Sequence, residues 1–295
     1  MGGGMRVAFR LLAGGLVALS LAIPQPASAQ RAPSPPSQFP PGLPAASLID
    51  IAYVEPTNPA QRPIYERLLK RQVLENLRAF LSPLRLPRKL VITMRSCNRA
   101  NAFYSNARVT ICYEYIELIH QRAPKATTPE GVTYEDAVVA GVVSVVLHEV
   151  SHGVFDLLQI PILGREEDAA DQLAGFIMVQ FGKNVARRVI AGKAHLWDYA
   201  GSKRPPRSKR AYADVHGTEY QRFYNILCIA YGHDPENFED YVKKNILPAG
   251  RARRCRIEYR KIEHAFRTLL LPHIDRVLME KVRQVEWVRP EDGRP

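Results

Sequence analysis

The chain has 295 residues, of which 46% are hydrophobic and 24% charged, and its formal net charge is +12. This hydrophobic content is enough to bury a substantial core, so the composition excludes a chain that is disordered throughout. The basic excess lies partly in short runs, at residues 203–210 and 251–254.

The first 29 residues have the layout of a secretory signal peptide. Arg6 and Arg10 give a basic start, the apolar run Leu11–Ile23 follows, and Ala27-Ser28-Ala29 is a small-residue cleavage site. The apolar run is shorter than the roughly 20 residues that a membrane-spanning helix needs. We therefore expect export to the periplasm or the extracellular space, with the mature chain starting at Gln30. An uncleaved N-terminal anchor is the alternative.

The stretch after the cleavage site predicts a linker followed by a small sheet. Residues 30–47 are rich in proline and are expected to be extended. Leu48–Val54 predicts a first strand, and the apolar spacing of Asn58–Leu81 predicts one amphipathic helix. Two further strands are expected at Leu90–Met94 and Arg108–Tyr113, and a short helix at Tyr113–Gln121.

A long apolar stretch begins after Thr133, and Asp136 follows three residues later, as at a helix N-cap with an acidic first turn. Val138–Val146 is rich enough in valine to favour a strand by propensity, but the length of the stretch and the histidine spacing after it favour a buried helix. Ionisable residues follow too soon for a membrane span. Later helices are expected at Arg165–Phe181, Val185–Tyr199, Glu219–Tyr231, Pro235–Lys244 and Arg253–Leu271.

These elements predict an α+β fold, in which a small N-terminal sheet with a helix precedes a mostly helical body. We expect a single domain over residues 48–285 and a C-terminal tail over residues 286–295. The sequence does not indicate an oligomeric state.

The mature chain would contain four cysteines, at Cys97, Cys112, Cys228 and Cys255. An even number in an exported protein indicates two disulfides, for which three pairings are possible. No CxxC motif is present, which argues against a thiol redox site or a cysteine zinc cage. Pairing Cys97 with Cys112 and Cys228 with Cys255 is favoured, because each pair brackets one short supersecondary unit.

Residues 148–152 read His-Glu-Val-Ser-His and suggest a metal site. On a helix, residues i and i+4 lie on one face with Cβ atoms about 5–6 Å apart, so His148 and His152 can bind one zinc ion. Glu149 can reach the same site without binding the metal and can act as a general base. A pattern of five residues can also arise by chance in a long chain.

A catalytic zinc ion needs a third protein ligand. Completion as HExxHxxGxxH is excluded, because Phe155 and Leu158 occupy the glycine and histidine positions. Glu167, on the next predicted helix, is the candidate ligand. Asp171 lies one turn later on the same face and can accept a hydrogen bond from the outer ring nitrogen of a ligating histidine.

The connection between these two helices is short. We therefore expect the first helix to end soon after His152, with Gly153 breaking it. The flanking acids Glu166 and Asp168 are expected to point away from the metal.

HEVSH followed by EDAAD resembles the gluzincin metallopeptidases, which carry HExxH and a later ExxxD. With HEVSHGVFDLLQIPILGREEDAADQLAGF and YQRFYNILCIAYG, the chain resembles over roughly Leu48–Leu271 a family of secreted bacterial metallopeptidases catalogued as a domain of unknown function. The resemblance implies that the helical body carries a zincin-like active-site helix. It also implies that zinc is bound by His148, His152 and Glu167, that Glu149 is the catalytic base and that Asp171 supports a ligand.

Gluzincin sites often place a His or Tyr where negative charge develops on the substrate oxygen. His216 is the first candidate for that role here, and Tyr220, Tyr224 and Tyr231 are the alternatives. Asn101–Tyr104 could form an edge strand that pairs with an extended substrate, or a plain structural strand or turn.

The leading hypothesis is a zinc-dependent hydrolase, more specifically a peptidase that acts on a peptide or protein substrate. A non-catalytic envelope protein with a structural or binding zinc site is the alternative, and a helical interaction module with an accidental motif is a third. An exported protein is not expected to bind nucleic acid. The basic runs indicate a solvated surface or a weak association with an anionic envelope surface.

Overall fold

The structure is a computed structural model that describes residues 48–203 and 213–285. The predictions of a signal peptide, a linker and a C-terminal tail concern residues outside these ranges, as does nearly all of the basic run at residues 203–210. They stay predictions.

The N-terminal layer is a four-stranded sheet with the strand order β1-β2-β4-β3. Strand β2 pairs in parallel with β1 and β4, whereas β3 and β4 form an antiparallel hairpin. Because β3 has one neighbour, it is an edge strand, at the place where Asn101–Tyr104 suggested one. The strands are β1 (Ile49–Tyr53), β2 (Leu90–Arg95), β3 (Ala102–Ser105) and β4 (Arg108–Cys112).

The prediction of a single helix over Asn58–Leu81 is wrong, because the helix is interrupted in the middle of this segment. After a 3-10 turn, α1 (Arg62–Lys70) and α2 (Val73–Leu81) are separated at Gln72, which has a left-handed φ of 50°. The Tyr53 hydroxyl on β1 accepts a hydrogen bond from the backbone N–H of Leu74 at 2.6 Å. Apolar spacing continues across the break, so the sequence pattern alone does not show it.

Helix α3 (Tyr113–Arg122) leads to the central helix α4 (Tyr134–Leu157). Thr133 and Asp136 form the reciprocal N-terminal hydrogen bonds of a capping box, which confirms the expected start. The helix is long and apolar enough to cross a membrane, but 89% of its most apolar window is buried inside the fold. It is therefore the buried helix that the length of the stretch and the histidine spacing predicted.

The expected break of α4 at Gly153 is wrong, since the helix continues to Leu157. A Cβ atom at Gly153 would lie 3.1 Å from both the Leu90 side chain and the Tyr104 ring. The glycine therefore allows the sheet to approach the helix closely instead of ending the helix. The chain turns afterwards, with left-handed backbone at Gln159 (φ 52°) and Gly164 (φ 104°).

The remaining helices form the body that packs around α4, with α5 and α6 directly against it. The helix expected over Arg253–Leu271 begins earlier and changes to a π-helical turn at Phe266–Leu270, two residues before Pro272. The helices are α5 (Glu166–Met178), α6 (Lys183–Ser202), α7 (Glu219–His233), α8 (Glu239–Lys243), α9 (Ala249–Ala265) and α10 (Arg276–Arg283).

Both expected disulfides are present. Cys97–Cys112 joins the loop after β2 to the end of β4, with the Cα atoms 5.4 Å apart. Cys228–Cys255 joins α7 to α9, with a Cα separation of 4.9 Å. Two disulfides indicate that the protein folds in an oxidising compartment.

Candidate active site

The HEVSH residues lie near the C-terminal end of α4, where the helix meets the first turns of α5. His148 and Glu149 are each only 6% exposed, and His152 is partly buried. The Nε2 atoms of His148 and His152 lie 3.3 Å apart. The i, i+4 spacing has therefore brought both imidazoles to one point, as the sequence predicted.

Glu167 reaches the same point from the first turn of α5. Its Oε2 atom lies 3.0 Å from His148 Nε2 and 3.4 Å from His152 Nε2. This happens although α4 runs to Leu157, because the left-handed residues Gln159 and Gly164 reverse the short connection. The loop therefore lets Glu167 contact the histidines even though α4 is longer than expected.

Asp171 lies behind His148 and accepts a hydrogen bond from its Nδ1 atom at 2.9 Å. Arg222, on α7, donates two hydrogen bonds of 2.6 Å to the Asp171 carboxylate, through Nε and Nη2. The Arg222 guanidinium also lies over the Trp197 ring, 4.9 Å from its centroid. Arg222 was not identified from the sequence; its charge beside the core residue Phe223 was the available signal.

Glu166 contacts the second histidine, contrary to the expectation that it points away. Its Oε1 atom lies 2.6 Å from His152 Nδ1. Glu166 is the first residue of α5, and Cα–Cβ bonds in a helix tilt toward its N-terminus. The side chain therefore projects back toward α4. Asp168 does point elsewhere, and it binds Arg165.

His216 joins the site from the loop that precedes α7. Its Nε2 atom lies 2.9 Å from Glu167 Oε2. Its Nδ1 atom lies 3.2 Å from Asp214 Oδ1, and the same oxygen accepts the His216 backbone N–H at 2.9 Å. The rings of His148 and His216 are stacked, with centroids 6.0 Å apart.

The three tyrosines considered beside His216 lie in other surroundings. Tyr220 is 43% exposed, and its ring packs against Gly201. Tyr224 lines a neighbouring cavity of about 340 Å³, and Tyr231 packs against the hydrophobic core. Of the candidates, His216 is the one that the fold brings to Glu167.

Burial and close charges shift the pKa values of the ionisable groups in this cluster. Burial raises the pKa of Glu149, and the neighbouring histidines only partly oppose it. Burial lowers the pKa of His152, but hydrogen bonds to Glu167 and Glu166 outweigh it and raise the value to about 9. Hydrogen bonds from His148, His152 and His216 hold the pKa of Glu167 far below its usual range.

The donor atoms fit a single divalent metal ion. Two ligand atoms about 2.0–2.1 Å from one tetrahedral ion lie roughly 3.3–3.4 Å apart. The distances among His148 Nε2, His152 Nε2 and Glu167 Oε2 are 3.3, 3.0 and 3.4 Å. Ligand atoms of His148, Glu167 and His216 also lie within 4.8 Å of one another. Imidazole nitrogen and carboxylate oxygen are ligands that zinc accepts.

The edge strand lies against the end of α4 that carries this cluster. The Tyr104 hydroxyl donates to Asp156 Oδ2, one helical turn beyond His152, at 2.5 Å. Phe103, next to it on β3, is 37% exposed. Strand β3 is therefore tied to the turn of α4 that follows His152.

Residues 53–270, which are most of the chain and include the whole site, match the family model DUF4344, described as "Putative metallopeptidase". No curated protein and no solved structure gives a significant match. A metallopeptidase family implies a bound metal ion and a peptide or protein substrate, and the histidine–carboxylate cluster provides donors for such an ion. The chain therefore belongs to the DUF4344 family of metallopeptidases.

Proposed function

We propose that the protein is a zinc-dependent peptidase that uses Glu149 as its general base. The observation that carries the proposal is the convergence of two imidazole nitrogens and one carboxylate oxygen with 3.0–3.4 Å spacings. His148, His152 and Glu167 would hold the zinc ion. Asp171 would keep the Nδ1 proton of His148 in place, so that Nε2 offers its lone pair to the metal.

Zinc, when bound, supplies Lewis-acid polarisation of a water molecule and of the scissile carbonyl group. Glu149 takes the proton from the attacking water. Burial raises the pKa of the Glu149 carboxyl, which makes it a stronger base than an exposed glutamate. The same carboxyl group then passes this proton to the leaving amine.

His216 would stabilise the negative charge that develops on the substrate oxygen. Hydrogen bonding to Glu167 raises the pKa of His216, which favours the ring as a donor. Asp214 fixes the ring orientation through Nδ1 and leaves Nε2 directed at the site. A donor aimed at the developing charge stabilises the transition state more than the ground state.

An extended peptide would lie along β3. The strand has a free edge within the described part of the sheet, and main-chain pairing with such an edge binds a peptide independently of its side chains. The Tyr104–Asp156 hydrogen bond ties this edge to α4. The backbone of the substrate would therefore be placed by the strand, while neighbouring cavities select its side chains.

The alternative is a non-catalytic envelope protein in which His216 is a fourth metal ligand that closes the site. The grouping of His148, Glu167 and His216 within 4.8 Å is the observation that favours it. A structural zinc site has four protein ligands, whereas a catalytic site keeps one position open. The two possibilities therefore differ in what His216 does for metal binding.

Metal analysis and cleavage of a peptide library test the mechanism. We expect the purified protein to bind about one zinc ion per chain. Glu149→Gln should keep the metal and the melting temperature, while hydrolysis falls by about 10²–10⁴-fold. Glu117→Gln on α3 is the control for loss of one carboxylate elsewhere. Unchanged hydrolysis by Glu149→Gln would exclude Glu149 as the base.

The His216→Ala variant distinguishes the peptidase from the non-catalytic protein with a closed metal site. In the peptidase, zinc content stays at the wild-type level and kcat falls by about 10²–10³-fold, as for the loss of an oxyanion donor. In the closed site, His216→Ala lowers zinc affinity, and the wild-type protein cleaves no member of the library.

A further inference from the structure

Helix α9 (Ala249–Ala265) has an outer face that the metal centre does not use. Its inner face carries Ala252, Cys255 and Tyr259, which are buried at i, i+3 and i+7. Cys255 is bonded to Cys228 on α7, so the orientation of the helix is fixed covalently. At 100° per residue, the opposite face carries Arg253, Arg254, Ile257, Arg260, Lys261 and His264, all of them exposed.

This outer face, which we term the α9 basic face, is positive without compensating acids. The two glutamates of the helix lie beside it, where Glu258 pairs with Arg251 and Glu263 with Arg267. Within the described part of the chain, no carboxylate lies within 4.0 Å of Arg253, Arg260 or Lys261. Arg254 reaches Glu258 only at 3.9 Å, and its side chain is 80% exposed.

An exposed apolar side chain lies among these cations. Ile257 is 51% exposed and is flanked along the helix by Arg253, Arg254, Arg260 and Lys261. A cluster of Lys and Arg side chains on an exposed helix face attracts anionic surfaces, and an apolar side chain among them can enter the headgroup region.

We propose that the α9 basic face docks the protein on an anionic membrane surface. The cations match the negative potential of acidic phospholipid headgroups, to which each Lys or Arg close to the surface contributes about 1 kcal/mol. Ile257 would enter the headgroup region between them. The two disulfides favour a membrane over nucleic acid, because they indicate an oxidising compartment outside the cytosol.

Helix α9 also lines a cavity beside the first turn of α5. The first turn of α9 contributes Arg251 to the cavity of about 340 Å³ that Arg165 and Asp168 line on the side of α5. These two residues flank the Glu166–Glu167 pair that contacts the histidines. The proposal concerns binding only, and it holds whether or not the site hydrolyses peptides.

Co-sedimentation of the full-length protein with vesicles tests the proposal. The probes are vesicles of phosphatidylcholine alone and of phosphatidylcholine with 30% phosphatidylglycerol, each in low and high salt. We expect binding to the anionic vesicles that is at least about tenfold tighter and is lost in high salt, because salt screens exposed charges. Equal binding to both kinds of vesicle would overturn the proposal.

Charge-matched triple variants then locate the surface. Arg253→Gln, Arg260→Gln and Lys261→Gln together should weaken binding to anionic vesicles by about 100-fold, from roughly fivefold for each of the three charges. Lys70→Gln, Arg99→Gln and Lys125→Gln remove the same charge from exposed sites elsewhere, and should change binding by less than about threefold. Equal losses in both variants would show that only the net charge acts.

Two further measurements keep the result specific. Circular-dichroism melting should be the same for both triple variants and the wild type, which shows that the variants are folded. Glu149→Gln should bind vesicles like the wild type, so the outcome does not depend on the peptidase proposal. Retention of an oligonucleotide by the protein, without vesicle binding, would overturn the membrane assignment in favour of nucleic acid.

Discussion

Each of the three imidazoles in the candidate site lies beside a carboxylate, but the pairs differ in their exposure to solvent. The side chains of His148 and Asp171, which we call the inner end of the site, are 8% and 15% exposed. Those of His152 and Glu166, which we call the outer end, are 12% and 53% exposed. The outer distance, 2.6 Å, is shorter than the inner distance of 2.9 Å.

We infer that the shorter contact is not the one on which the site depends most. Water and salt screen an exposed carboxylate, and a hydrogen bond that water can replace contributes little to stability. At the inner end, Asp171 also neutralises the buried Arg222 guanidinium. Neutralising the inner acid removes the negative charge beside a largely buried guanidinium group, whereas neutralising the outer acid affects one imidazole that water can reach.

The largest effect is expected from Asp171→Asn. The substitution leaves the Arg222 charge buried and uncompensated, which should lower the free energy of unfolding by about 3–5 kcal/mol. Loss of the carboxylate behind His148 should weaken zinc binding by about 10–100-fold. Urea unfolding of the metal-free protein and a competitive zinc titration measure the two effects separately.

A second variant tests why Asp171 matters. Combining Asp171→Asn with Arg222→Met removes the buried charge as well and should restore part of the lost stability. Zinc affinity should stay low, because His148 still lacks its carboxylate partner. If the double variant recovers zinc affinity together with stability, Asp171 acts only by balancing Arg222, and the comparison between the two ends fails.

Lys193 also lies near the inner end. Arg222 is paired with Asp171, whereas none of the carboxylates that the structure describes forms an ion pair with Lys193. It is 7% exposed, and its Nζ atom lies 4.3 Å from the centroid of the Trp197 ring. Burial, aided by the Arg222 charge, lowers the pKa of Lys193 from 10.5 to about 7. The unfolded chain therefore binds this proton more tightly than the folded protein does between about pH 7 and pH 10.

The lowered pKa of Lys193 predicts how stability changes with pH. The cost of burying the Lys193 charge is fully present below about pH 7 and diminishes as the pH rises toward 10, so this residue makes stability increase with pH. Lys193→Met should raise the free energy of unfolding at pH 6 by at least about 1 kcal/mol and flatten its rise between pH 7 and 10.

Urea unfolding at pH 6, 7, 8 and 9 measures this dependence. The exposed Lys244→Met is the matched control and should follow the wild-type curve at every pH. A Lys193→Met protein that is less stable than the wild type throughout would show that the contact with Trp197 outweighs the burial of the charge.

Much of the site could be predicted, because short stretches of sequence determine on which helix face its residues lie. The i, i+4 spacings of His148 with His152 and of Glu167 with Asp171 define two helix faces, and a helix has the same periodicity in any fold. The capping box at Thr133 fixes where α4 begins. Short-range rules therefore placed the histidines and the acids correctly on their helices.

The remainder depends on contacts between distant segments. The break at Gln72, the close approach of the sheet to Gly153 and the choice of Arg222 as partner of Asp171 all arise from packing between separate elements. The parallel pairing of β2 with β1 and β4 likewise joins segments separated in the chain. No periodicity in the sequence encodes these contacts. Glu166 belongs here too, because the loop before α5 sets its direction.

The smallest effect is expected from Glu166→Gln at the outer end. The amide oxygen can still accept the His152 Nδ1 proton, so only the charge is lost and zinc affinity should fall by less than about tenfold, below the usual range for such partners. Asp168→Asn is the matched control, because it removes the same charge from the residue next to Glu167, but from an acid that is bound to Arg165. Competitive zinc titration should rank Asp171→Asn, Glu166→Gln and Asp168→Asn in falling order of effect. A Glu166→Gln loss as large as that of Asp171→Asn would mean that exposure does not decide which carboxylate the site needs, and the short 2.6 Å contact would then be the better guide.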